Sequence, residues 1–172
     1  NVSYKGFLAD RAALNTYLEL LSNHHPNPEK WSEDEQLAYW INVYNAFTIE
    51  LILRHYPLKS IKDIKKLHIP LVNTPWHIKF FKIGGIEYNL DQIEHDILRK
   101  EFNEPRIHFA IVCASVSCPA LLNKAYTAEK LEEQLNNQAI RFINDPSKNT
   151  INKDKAELSK IFSWFKGDFT KG

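Results

Sequence analysis

From Leu37 to Ile52 apolar side chains fall on nearly every side of a helix: Leu37, Trp40, Ile41, Val43, Tyr44, Phe47, Ile49, Leu51 and Ile52 cover most of its circumference. A helix that is apolar all round is a buried one, so this segment is expected at the centre of the molecule. Ser32 followed by Glu35 is the capping-box signature that opens it, and Pro57 ends it just past Tyr56. Ahead of it, Ala13, Leu14, Tyr17, Leu18 and Leu21 recur at helical spacing behind Asp10, a suitable N-cap. The run His25-Pro26-Asn27-Pro28 stops this second helix, whose single apolar stripe predicts a peripheral position.

Further along, FFKIGGIEYNL sets two short apolar segments either side of Gly84-Gly85, the signal of a hairpin with a primed turn. Residues 91–102 read as a helix with Ile93, Ile97 and Leu98 facing inward, ended by Pro105. The compact apolar and β-branched run IHFAIVC, residues 107–113, reads as a buried strand. Residues 127–143 read as a helix carrying Leu131, Leu135, Ala139 and Phe142 on one stripe, with Asp145-Pro146 beyond its end. A short strand within 150–158 and a last turn or helix, SKIFSWF, close the chain. There is no repeat or linker, so the expected architecture is α+β: a helix-rich single domain over residues 1–172, with a small, mainly antiparallel sheet packed against a buried central helix.

Composition narrows the function classes. The 172 residues are 44% hydrophobic and 25% charged, enough for one domain with a real core. Formal net charge is +1 with the charges interspersed, so no basic face is set aside for nucleic acid. No apolar run approaches the roughly 20 residues that cross a bilayer. The chain has no Met and opens at Asn1, as expected of a processed piece without its targeting segment.

Polar residues in apolar places mark the candidate chemistry. At about 100° per residue, Glu94 falls near the middle of the face formed by Leu90, Ile93, Ile97, Leu98 and Phe102, so its carboxyl is expected to be buried. His95 lies at the edge of that face. Adjacent residues on a helix point apart, so the two are expected to serve different partners. Asn42 and Asn45, three residues apart on the central helix, either hydrogen-bond an irregular loop packed on it or share a polar pocket with Glu94 or His95. In ASVSCPALL, Pro119 is the residue type favoured at a first helical position, which would put Cys118 at a helix N-terminus, where backbone N–H groups stabilise a thiolate or an oxyanion.

Cys118 is therefore the candidate nucleophile and His95 its candidate base, with Glu94, Asn42 or Asn45 orienting or polarising the pair. His108 is a second candidate base, or a satisfied core histidine, and His24, His25, His55, His68 and His77 are less favoured. Three alternatives stay open for the cysteines: a nucleophile, an inert buried or bridged pair with Cys113, or a metal site, for which Cys-x4-Cys alone is a weak signal. No cofactor is expected. Pro75-Trp76 and Tyr44 either line a pocket or fill the core, and Trp40, Trp76 and Trp164 read as packing more than as recognition.

Four ordered blocks, LAYWINVYNAFTIELIL, PWHIKFFKIGG with YNLDQIEHDILR, RIHFAIVCASVSCPAL and AELSKIFSWFKGDF, resemble the bacterial and plant "domain of unknown function 547" family. The resemblance covers most of the chain. It implies that Asn42, Asn45, Glu94, His95, Arg99, His108, Cys113, Ser117, Cys118 and Pro119 occupy the family's recurrent polar or special positions. On that basis Asn42, Asn45, Arg99, His108 and Ser117 are the expected substrate-binding residues around Cys118, His95 and Glu94. Members often carry Asn-Cys-Gly where this chain has Val112-Cys113-Ala114. Many bacterial members look exported, which implies an exported or periplasmic location, and plant members with an added coiled-coil segment imply assembly or partner binding. The family also invites comparison with papain-like cysteine hydrolases and transferases. The expected activity is cysteine-dependent acyl transfer, as a peptidase, amidase or transferase acting on a peptide-like or γ-glutamyl amide substrate. The alternative is a non-catalytic binding or scaffolding domain that takes a protein partner.

Overall fold

The computed structural model describes residues 2–64, 74–115 and 117–171. His68, one of the less favoured histidines, lies outside them. Two helices, α1 (Tyr4–Ala9) and α2 (Arg11–Asn23), lead into the long α3 (Glu33–Leu53). Helix α2 buries Leu14, Leu18 and Leu21 of the expected stripe, while Tyr17 is half-buried and Ala13 is exposed. Ser32 accepts from the Glu35 N–H at 3.2 Å and the Glu35 side chain accepts from the Ser32 N–H at 2.7 Å, so the capping box opens α3 as expected. Ile41, Val43 and Tyr44 are fully enclosed, and the helix ends at Leu53, three residues before Tyr56. Glu50 is buried among these apolar residues and is matched by Arg11 at 2.5 Å and Arg54 at 2.7 Å.

The hairpin forms from β1 (Phe81–Ile83) and β2 (Ile86–Tyr88), with Ile83 opposite Ile86. Gly84 and Gly85 take φ of 57° and 83°, the left-handed pair a primed turn requires. The Phe81 ring stacks on Phe47 of α3 at 3.9 Å, so the small sheet packs on the central helix. Helix α4 covers residues 90–101 in three consecutive pieces: an α turn Leu90–Gln92, a π-helical stretch Ile93–Leu98, and an α turn Arg99–Glu101. The Arg99 N–H reaches back five residues to the Glu94 carbonyl, which defines the wider winding. Helix α5 (Leu131–Ile143) buries Leu131, Leu135, Gln138 and Phe142. A minimal antiparallel pair, β3 (Thr150–Ile151) and β4 (Ala156–Glu157), stands where one strand was expected. Short helices α6 (Lys160–Trp164) and α7 (Lys166–Phe169) follow, and Phe162, Phe169 and the intervening Phe165 join Phe109, Phe142 and Ile161 in a second apolar cluster beside the main core. The molecule is thus a helix-rich α+β fold with a small antiparallel sheet.

Two expectations are corrected. Residues 107–113 are not a strand: Pro105–Phe109 is a 3-10 turn and the chain beyond it is irregular. No helix follows Pro119 either, since residues 119–126 carry no helix or strand, so Cys118 is not at a helix N-terminus. The physical reason is that side chains take up the backbone groups a sheet or helix would otherwise use. Asn45 donates to the Ala110 carbonyl at 3.0 Å and accepts from the Val112 N–H at 2.8 Å. Asn42 does the same at Tyr126, donating to its carbonyl at 2.8 Å and accepting from its N–H at 2.9 Å. Gln138 of α5 donates to the Phe109 and Ala120 carbonyls.

Candidate functional site

The irregular segment so clamped carries both cysteines, and they are joined in a disulfide, with Cα atoms 6.2 Å apart. Ala114, next to Cys113, turns the chain with φ of 58°, in the left-handed region that glycine enters most readily. The Cys118 N–H closes the turn on the Ser115 carbonyl at 3.1 Å. Ser117 is tied through its backbone, its N–H donating to Ser115 Oγ and its carbonyl accepting from Ser159 Oγ.

A cavity of about 170 Å3 lies against the bridge, lined by both cysteines, Glu94, His95, His108, Trp76 and neighbouring apolar groups. A groove of about 1090 Å3 lies against Cys118 as well, and Asn42, Asn45, Pro119 and Tyr126 are among its walls. Cys118 thus borders both spaces, whereas Cys113 borders the small one alone.

The π stretch of α4 sends its two polar residues to different partners. Glu94 is buried and its Oε2 accepts from the Tyr44 hydroxyl at 2.9 Å. Burial holds its carboxyl above the ordinary range, against the lowering pull of His95, Tyr44 and Arg99. His95 is partly exposed, and its Nδ1 accepts from Arg99 Nη1 at 2.6 Å, which occupies that lone pair. Its Nε2 stands 3.6 Å from Asp91.

His108 sits deepest, with 1% of its side chain exposed. Its ring stacks on Phe165 at 3.9 Å, and its Nε2 meets Asp168 Oδ2 at 2.8 Å. Arg99 also holds Asp168, at 2.5 Å and 3.2 Å, and its guanidinium lies 5.0 Å above the Phe165 ring. The Arg99 hydrogen bonds hold the Asp168 carboxyl well below the usual carboxylate range. Burial lowers His108 from 6.5 to about 4, only partly offset by Asp168. His108 is therefore neutral at pH 7 and its contact with Asp168 is a hydrogen bond from Nε2–H to a carboxylate. The ring's remaining lone pair is on Nδ1, which is buried and without a partner among the described residues.

Cys118, Glu94, His95 and His108 line one cavity, Arg99 is tied to it through His95 and Asp168, and Asn42 and Asn45 are engaged with backbone. One member was missed in the sequence. Asp168 is one lone acid among aromatic residues on a four-residue helix, and only the fold carries it to His108, 60 positions away. Trp76, which the sequence left between pocket and core, lines the cavity, as does Trp164. Among the described residues no group of three or more His, Cys, Asp or Glu is disposed to hold a metal ion, and no helix is long and apolar enough to cross a membrane.

No curated protein and no solved structure matches the chain. One family model, described as "Protein of unknown function, DUF547", matches residues 28–143. Those residues are two thirds of the chain and include α3, α4, His108 and both cysteines, while Asp168 lies beyond the matched segment. The chain belongs to this DUF547 family of proteins of unknown function.

Proposed function

We propose that the chain is a cysteine-dependent acyl-transfer enzyme, a peptidase, amidase or transferase in the manner of papain-like cysteine hydrolases and transferases. Cys118 is the nucleophile once the bridge to Cys113 is opened, His108 the base and Asp168 the group that orients it. The observation that carries this reading is the His108 ring: buried, hydrogen-bonded to a carboxylate through Nε2, and with a vacant Nδ1 lone pair in a residue that shares a cavity with both sulfurs. A nucleophile, a base and a carboxylate that fixes the base's tautomer are the parts that acyl transfer needs. His95, the candidate from sequence, is less suited because Arg99 occupies its Nδ1. Glu94, buried against Tyr44, is assigned to polarising the cavity.

In the bridged form the sulfur is no nucleophile. A dithiol reductant supplies two electrons and two protons, is itself oxidised to a disulfide, and leaves two thiols. Cys118 then passes its proton to His108 Nδ1, the thiolate attacks the acyl carbon, and the imidazolium returns the proton to the departing amine. Water or a second amine releases the acyl group from the thioester. An exported location suits the bridged form, since disulfides persist in oxidising compartments.

The test is turnover of small peptide amides and γ-glutamyl amides by dithiol-reduced protein. The expected result is activity that needs reductant, disappears in Cys118→Ala and falls at least about 100-fold in His108→Gln. Full activity in Cys118→Ala, or reduced Cys118 alkylated by iodoacetamide at pH 6 no faster than a model thiol, overturns it. The Asn42 and Asn45 clamps favour a second reading, a rigid binding or scaffolding loop stapled by the disulfide. Inert thiols together with retained partner binding would support that one.

A further inference from the structure

Two buried polar atoms from residues that line the small cavity have no partner among the described residues: the indole Nε1 of Trp76 and Nδ1 of His108. Folded proteins leave few such atoms unpaired, so two on residues that line one cavity point to a ligand that pairs with both. Their hydrogen-bonding roles are fixed and opposite. The indole N–H can only donate. His108 uses its Nε2–H on Asp168 at 2.8 Å, which leaves Nδ1 as an acceptor.

A planar group with an acceptor oxygen and a donor nitrogen on one carbon answers both atoms. A carboxamide is such a group. An ester has no proton to give His108, and a carboxylate would set two acceptors and a negative charge against the Nδ1 lone pair and the neighbouring Glu94 carboxyl. The volume fits a small group: a cavity of roughly 150 Å3 takes a benzene-sized guest, and this one is about 170 Å3. It therefore suits the end of a glutamine-like side chain.

We propose that the cavity recognises a primary carboxamide, with the Trp76 indole N–H donating to its carbonyl oxygen and its NH2 group donating to His108 Nδ1. The site rests on the acyl-transfer reading for its chemistry and narrows that reading to deamidation or transamidation. In reduced protein the Cys118 thiolate attacks the carbonyl carbon while the developing oxyanion keeps the Trp76 hydrogen bond. The proton that Cys118 gave up to His108 Nδ1 passes to the amide nitrogen, the C–N bond breaks, ammonia leaves, and a thioester remains. Water then yields the carboxylic acid and restores the thiol, or an amine yields the exchanged amide.

The test uses disulfide-bonded, isotopically labelled protein titrated with propionamide, propionate and methyl acetate. The indole N–H resonances of the four tryptophans are followed, and Trp76→Phe identifies the Trp76 signal. Propionamide is expected to shift the Trp76 indole and His108 ring signals to saturation, with the acid and the ester at least tenfold weaker. Trp76→Phe should weaken propionamide binding roughly three- to tenfold, the worth of one neutral hydrogen bond. Trp76→His, which keeps an N–H, should restore part of it. Equal response to all three compounds, no saturable shift, or undiminished propionamide binding by Trp76→Phe overturns the proposal. The ligand series on the unmutated protein decides even if Trp76→Phe fails to fold. Binding here needs no turnover, so amide binding by the bridged protein with no activity after reduction would refute the enzyme reading alone. Esterase activity after reduction without amide binding would refute the carboxamide site alone.

Discussion

At the scale of single residues, His108 concentrates the consequences of burial. Its pKa is lowered from the ordinary 6.5 to about 4, because desolvation outweighs the Asp168 carboxylate. Between those two values the unfolded chain binds a proton that the folded chain refuses, so this contribution to stability is full above pH 6.5 and is lost as the pH falls towards 4. From pH 7 to pH 4.5 the loss should be about 2.5 kcal/mol. Urea denaturation at the two pH values should show that loss, and His108→Gln should lose less by about the same amount. An identical pH dependence in the two proteins would contradict it. Ala114 is the other residue-scale case, holding φ of 58° with a Cβ. Ala114→Gly, which removes the Cβ from a left-handed backbone, should raise stability by about 0.5–1 kcal/mol in the same assay.

Among the elements, α3 does two jobs with one surface. Its apolar residues form the core, and Asn42 and Asn45 replace the neighbouring strand that the 107–126 segment lacks. Asn45→Ala would leave the Ala110 carbonyl and the Val112 N–H without their side-chain partner. The expected cost is about 2–4 kcal/mol, from two largely enclosed backbone groups, read as a fall in the denaturation midpoint. A loss under about 0.5 kcal/mol would mean that the clamp is dispensable. The π stretch of α4 belongs to the same scale. It winds Glu94 towards Tyr44 and His95 towards Arg99, and wide turns of this kind recur at functional sites. Gly84 shows a backbone requirement read correctly from sequence and reinforced by tertiary contact, because a Cβ there would lie 2.7 Å from the His25 ring.

In the whole molecule, the chain's end completes the site. Asp168 links α7 to Arg99 of α4 and to His108, so a residue near the C-terminus fixes a ring in the middle of the chain. Asp168→Asn should destabilise the fold by roughly 2–3 kcal/mol, because Arg99 loses its carboxylate in a partly enclosed setting. It should also remove the charge that opposes the burial of His108, so the ring should titrate lower still, which an NMR titration would show. An upward shift would mean that the Asp168 charge is not felt at the ring. Opening the Cys113–Cys118 bridge removes a short loop constraint, worth about 2 kcal/mol on loop-entropy grounds, and reduced protein should unfold at correspondingly lower denaturant.

Local patterns were sufficient for much of the fold, because helix caps, helical periodicity and the Gly84-Gly85 turn are set by neighbours a few residues apart. The central burial of α3, the hairpin, the inward face of α4 and the burial of Glu94 follow from such patterns. The apolar run 107–113 misled for a physical reason: a buried extended segment is strand only if another strand takes its backbone groups, and here Asn45 takes them. The preference for His108 over His95 as the proposed base likewise depends on which lone pairs are already occupied, by Arg99 in one case and by none of the described residues in the other. Asp168, Trp76 and the bridge between the cysteines are facts of distance through space. The sequence by itself determined the periodic helices α2, α3, α4 and α5 and which residues are too polar for where they lie, since both are local properties of spacing. Only the tertiary structure decided which of those polar residues meet, because pairing across 60 positions is set by how the helices pack.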